Sequence, residues 1–111
     1  MPLGRLRVAG ESMAPVLLPG DRVLIWRGFG PLRPTIRVGD LVAVVDPRDP
    51  ERVIVKRIAG RVGTDVVVRG DNQAASTDSR HFGPVSPAAI RGRVIYRYLP
   101  VERRGRLRTR R

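Results

Sequence analysis

The sequence predicts a mainly β domain: a compact, partly closed barrel of short strands with at most short helical turns. Three observations carry this. Apolar, β-branched runs recur along the chain at Arg22–Trp26, Leu41–Val45, Val53–Ile58, Asp65–Arg69 and Ile90–Tyr96, the residue types that suit a pleated, half-buried surface. Turn-forming residues bound each run, at Gly20-Asp21, Gly39-Asp40, Asp46-Pro47, Gly60 and Gly70-Asp71-Asn72. No window of eleven or more residues holds a helical period. Short helical turns are expected only at Ser12–Leu17 and Ser86–Ile90.

Two stretches break the strand pattern. Residues 28–34 (GFGPLRP) are rich in Gly and Pro and carry Phe29, with Trp26 just before them. Their aromatics are expected to fold back on the core. Residues 72–84 (NQAASTDSRHFGP) form a long polar segment in a small domain, and structureless stretches of that length are usually functional.

At 111 residues the chain is the size of one small domain. Residues 1–101 are assigned to that domain and 102–111 to a basic, disordered tail, since the last ten residues hold six arginines and one acid. No apolar run is long enough to cross a bilayer as a helix, and the first residues lack the apolar segment of a secretory signal. The expectation is a cytoplasmic chain that can dock peripherally on an anionic membrane surface through its arginines. The formal charge of +12 also fits nucleic acid, but no row of aromatics at strand spacing is present to stack bases, so nucleic acid is not expected. With no cysteine and one histidine, thiolate chemistry is excluded and no metal or cofactor is expected.

One residue stands apart in composition. Of 22 basic side chains, 21 are arginine, and the single lysine is Lys56. Arginine stays protonated in proteins, whereas a desolvated lysine can lose its proton. In a strand over Val53–Ile58, Lys56 shares one face with Ile54 and Ile58. If that face is buried the amine becomes a competent general base; if not, the apolar stem lies on the surface with its head in water. Ser12 by itself reads as a cap or turn residue, because a serine hydroxyl needs a base before it attacks anything. His81 could join Asp78 or Asp71 in a triad, but no nucleophile elbow supports one, and it reads as a surface residue.

The order of four segments resolves these alternatives. Residues 10–17 (GESMAPVL) with Pro19-Gly20-Asp21, residues 38–44 (VGDLVAV), residues 55–60 (VKRIAG), and residues 70–80 (GDNQAASTDSR) with Gly83-Pro84-Val85 and residues 90–94 (IRGRV) resemble, in sequence order, the conserved boxes of the type I signal peptidases. The resemblance implies the β-fold shared by signal peptidases and LexA-type self-cleaving repressors, with 1–101 as the catalytic domain. It implies a serine endopeptidase with Ser12 as nucleophile and Lys56 as general base. Ser76 would orient the lysine, and Asp78 and Arg80 would form a structural ion pair. Gly10 falls where some members carry a serine that helps hold the oxyanion, so that donor is missing, and Met13 follows the nucleophile. Size and motif wording are similar to the branch that matures nickel-type superoxide dismutase. The implied substrate is then a protein precursor losing its N-terminal propeptide, and the alternative is a signal peptide cleaved at the membrane surface.

Overall fold

The computed structural model describes residues 2–28 and 35–107. Among the described residues, seven strands make one antiparallel sheet: β1 (Leu3–Arg7), β2 (Arg22–Trp26), β3 (Leu41–Asp46), β4 (Asp49–Val62), β5 (Asp65–Arg69), β6 (Ile90–Leu99) and β7 (Gly105–Arg106). Their order is β1-β2-β6-β3-β4-β5, with β7 also on β6. The end strands β1 and β5 do not pair with each other, so the barrel is open, as the mainly β reading expected.

The strands β2 and β5 have the bounds that the sequence pattern gives, and β3, β4 and β6 run longer. Alternation explains why. In β5, Val66 and Val68 are buried while Asp65 and Arg69 are exposed; in β2, Val23 and Ile25 point inward. β1 escapes the pattern because LGRLR has two apolar residues; its register against β2, from Leu3↔Trp26 to Arg7↔Arg22, makes it a strand.

The core has two halves, divided by the sheet itself. The central strand β3 is buried almost throughout. Leu41 and Ala43 pack on one side with Val23, Val55, Val94, Met13 and Leu17. Val42 and Val44 pack on the other with Ile58, Val66, Val68 and Ile90. Strand β6 serves both halves because its register against β3 shifts between Ala43 and Val44, which moves Ile90 and Val94 to opposite sides despite their even spacing. Without that irregularity, Ile90 or Val94 would face the wrong layer.

The polar segment after β5 is more structured than its composition suggests. It holds a 3₁₀ turn (Gln73–Ala75) and a one-turn helix α1 (Ser79–Phe82), capped by Asp78. The expected turns appear as well: the Leu17 N–H donates to the Met13 carbonyl at 2.9 Å, and Pro87–Ala89 is a 3₁₀ turn capped by Ser86.

The boundary placed after residue 101 falls inside a folded segment. A 3₁₀ turn (Val101–Arg103) leads into β7, the Leu107 side chain packs on the first core half, and Arg103 pairs with buried Asp21 at 2.8 Å. Arginine count marked this segment as a tail, but an apolar residue and a carboxylate partner anchor it. Residues 108–111 of that tail, and Phe29 with most of its loop, lie outside the described residues. Trp26 is half-buried. No helix among the described residues is long and apolar enough to cross a membrane.

Candidate active site

Ser12 sits on the turn that leaves β1, and Lys56 lies within β4; the two line one cleft, together with Gly10 and Met13. The walls are strand edges. Residues 53–56 of β4 pair with β3 on one side only, because β5 covers β4 from Arg57 onward. β1 pairs only with β2. Two unpaired backbone edges thus face one space, where an extended peptide could add as a strand.

The serine turn is held from two directions. Met13 is 1 % exposed and packs in the first core half, and its Sδ accepts the Asp71 N–H at 3.5 Å. The Asn72 N–H donates to the Ser12 carbonyl at 2.9 Å and Asn72 Nδ2 to the Glu11 carbonyl at 3.1 Å. The loop after β5 therefore fixes the backbone on either side of Ser12. Gly70 makes the approach possible, since a Cβ there would collide with the Ser12 carbonyl and Ser76 Oγ. Gly10 has φ +75°, a conformation that a side chain would strain, so a serine at this position would be costly in this turn.

Lys56 is 3 % exposed. Its Nζ donates to Ser76 Oγ at 3.0 Å, and Ser76 Oγ donates to Asp78 Oδ2 at 2.8 Å. The polarity of this chain follows from the inventory of donors. Ionised Asp78 can only accept, so the single Ser76 proton goes to it, and Ser76 can only accept from the lysine. Burial pushes the Lys56 pKa down from its ordinary value, against the attraction of Asp78, and the charges of Arg48 and Arg52 act in the same sense as burial.

Asp78 is fully buried and anchors the lower part of the site. It accepts from the Gly70 N–H (3.0 Å), the Arg80 N–H (3.1 Å) and Arg80 Nε (3.0 Å). Burial favours the neutral acid, but the hydrogen bonds from Arg80, Gly70 and Ser76 outweigh it and hold the carboxyl well below the usual range. The expected Asp78–Arg80 ion pair is present, at 3.0 Å. His81 lies elsewhere: its Nδ1 accepts the Asp78 N–H at 3.3 Å as part of the helix cap and the side chain is 54 % exposed. It does not line the cleft.

The structure brings together residues that the sequence left unconnected. Arg57, next to Lys56, grips Asp71 with Nε and Nη2 at 3.1 and 2.7 Å and the Gly39 carbonyl with Nη1 at 3.0 Å. The sequence reading gives Asp71 and Asn72 a turn and a place in the fourth segment, and pairs Asp71 with neither Arg57 nor the serine turn. The arginines Arg7, Arg48 and Arg52 also line the cleft, and no sequence signal singled them out.

The sheet has an open edge, and its cleft brings a buried amine and a serine on a clamped turn together. A family model described as signal peptidase, peptidase S26, matches residues 2–71 and 64–99. Similar proteins include the mitochondrial ATP-independent inner membrane protease subunit 1a of Arabidopsis thaliana, 39 % identical across 91 % of this chain and 73 % of that protein. The mitochondrial inner membrane protease subunit 2 of Mus musculus is 34 % identical across 91 % of this chain and 70 % of its own. The subunit 2 of Schizosaccharomyces pombe is 33 % identical, over 90 % and 67 %. The chain belongs to the signal peptidase family, peptidase S26, and so to the serine peptidases.

Proposed function

We propose that the protein is a Ser-Lys endopeptidase that removes N-terminal segments from precursor proteins presented at a membrane surface. The observation that carries the dyad is the direction of the Lys56–Ser76–Asp78 chain. One Lys56 N–H is committed to Ser76, which fixes the rotamer, and burial favours the neutral amine. The lone pair is then available to the Ser12 hydroxyl across the cleft.

In this reading Lys56 takes the Ser12 proton as Oγ attacks the scissile carbonyl. The Ser12 N–H, which donates to nothing among the described residues, faces the oxyanion. Lys56 then protonates the leaving amine, and the acyl-enzyme is hydrolysed by a water that gives its proton to the same amine. The substrate strand lies between the free edges of β1 and β4.

Membrane presentation is supported by the similarity to inner membrane proteases and by the basic surface. The same similarity supports signal-peptide removal over the maturation of nickel-type superoxide dismutase, the finer expectation drawn from motif wording. The experiment incubates both precursor types with the protein and its Ser12→Ala variant, with and without anionic vesicles, and follows the masses. Vesicle-stimulated loss of a signal peptide, by the unsubstituted protein alone, is expected. Clean removal of the superoxide dismutase propeptide without vesicles would reverse the choice of substrate. Cleavage by Ser12→Ala would end the dyad reading.

A further inference from the structure

Among the described residues, the cleft holding Ser12 and Lys56 is lined by three arginines and no carboxylate. Arg48 is already occupied: its Nε and Nη2 donate to Asp46 at 2.9 and 2.8 Å, and its guanidinium lies 6.0 Å from the Phe82 ring centre. Arg7 and Arg52 are exposed and form no ion pair among the described residues. They stand on opposite walls. Arg7 ends β1, and Arg52 lies on β4 four residues before Lys56. These are the two edges with unpaired backbone.

Strand geometry sets the distance scale. Arg52, Ile54 and Lys56, all on β4, line the cleft. Four residues of strand span about 13 Å. A peptide lying along β4 with its scissile bond at Lys56 brings a side chain three to five positions away beside Arg52. A carboxylate there meets a guanidinium that has no partner to give up, in a cleft whose walls concentrate the positive potential. A basic side chain at that point is repelled.

The geometry points to Arg7 and Arg52 as specificity determinants that select precursors carrying an acidic side chain three to five residues from the cleaved bond. This rests on the peptidase reading above. It goes beyond it by naming the chemistry of the substrate at a distance from the reacting atoms.

The test is a set of peptides with one Glu, Gln or Lys scanned over the five positions on each side of a cleavable bond. Cleavage is measured with the unsubstituted protein and with Arg7→Glu, Arg52→Glu and the double variant. Binding of the same peptides is measured by fluorescence anisotropy on Ser12→Ala. At one position Glu should exceed Gln by roughly fivefold in kcat/KM, the scale of a partly exposed ion pair. The preference should fade as salt is raised. Arg52→Glu should invert it, so that the Lys peptide becomes the better substrate; a gain of that kind cannot come from misfolding. Equal cleavage of Glu, Gln and Lys peptides at every position overturns the proposal, as does a Glu preference that survives in the double variant. Charge-selective binding without cleavage by the unsubstituted protein would leave the arginine rim standing and remove the peptidase reading instead.

Discussion

Lys56 and Arg57 are neighbours on β4, both buried, at 3 % and 7 % exposure, and the fold treats them in opposite ways. Their side chains leave opposite faces of the strand. Arg57 meets a carboxylate fork, Asp71, and a backbone carbonyl. Lys56 meets a hydroxyl, Ser76, with the Asp78 carboxylate one hydrogen bond further back. A buried guanidinium cannot shed its charge and has to be paired. An amine can respond to burial by becoming neutral, and a direct carboxylate would prevent that. Two adjacent basic residues are therefore given different partners, a carboxylate for Arg57 and a hydroxyl for Lys56, by what each face supplies.

Exchanging the two roles gives the largest expected effect. Lys56→Arg keeps the charge and removes the base, so turnover should fall by about four orders of magnitude. Burst and steady-state cleavage assays check this; near-normal turnover would show that the lysine is not the base. In the unsubstituted protein the Lys56 pKa is lowered, so activity should rise with pH through a value below that of an ordinary lysine. A rate that is flat with pH up to the ordinary lysine range would contradict this.

The structural side comes next. Arg57→Ala removes the guanidinium that pairs with the buried Asp71 carboxylate and should cost about 3–5 kcal/mol in urea unfolding, with side-chain exposures of 9 % and 8 % for the pair. Because Asp71 and Asn72 hold the serine turn, a variant that still folds should show loosened amide protection at Asn72 and Ala14, whose N–H groups donate to the Ser12 and Glu11 carbonyls. Unchanged protection there would mean that the clamp is incidental.

Ser76→Ala should act at the boundary between the two roles. It leaves Lys56 Nζ and Asp78 Oδ2 each short of a partner, raising the barrier by about 1–3 kcal/mol, roughly five- to 150-fold in kcat. Ser76→Thr, which keeps the hydroxyl, should recover part of the loss. Equal defects in both variants would point to packing instead of the hydrogen bond.

The smallest effect has the most telling sign. A lysine whose folded pKa is below its unfolded value binds its proton more weakly in the fold, so it lowers stability at neutral pH, and stability recovers as pH rises toward the unfolded value. Lys56→Met should therefore abolish activity and raise stability by about 1 kcal/mol or less, seen as a higher urea midpoint. A lower midpoint would mean that the lysine is held charged and paired.

Much of the candidate site was legible before the fold because its residues sit in distinct local patterns. Lys56 was marked by being the one lysine and by flanking isoleucines; Ser12, Ser76, Asp78 and Arg80 were marked by the order of four segments. Arg57–Asp71 was hidden because 14 residues separate partners that meet only when β5 folds back on β4. The role of residues 102–107 was hidden for a related reason: Asp21 and Arg103 are 82 positions apart, and composition alone made that segment look like solvent-facing charge.

The sequence by itself determined the mainly β architecture, through short β-branched runs between turn residues, and it named the residues proposed for Ser-Lys chemistry. Only the tertiary structure decided which basic residue meets a carboxylate and which a hydroxyl, and which strand edges stay unpaired among the described residues. It also set three arginines around the cleft. Periodicity and residue type act over a few neighbours, whereas pairing, burial and strand-edge exposure depend on contacts between segments distant in the chain, which exist only once the sheet has formed.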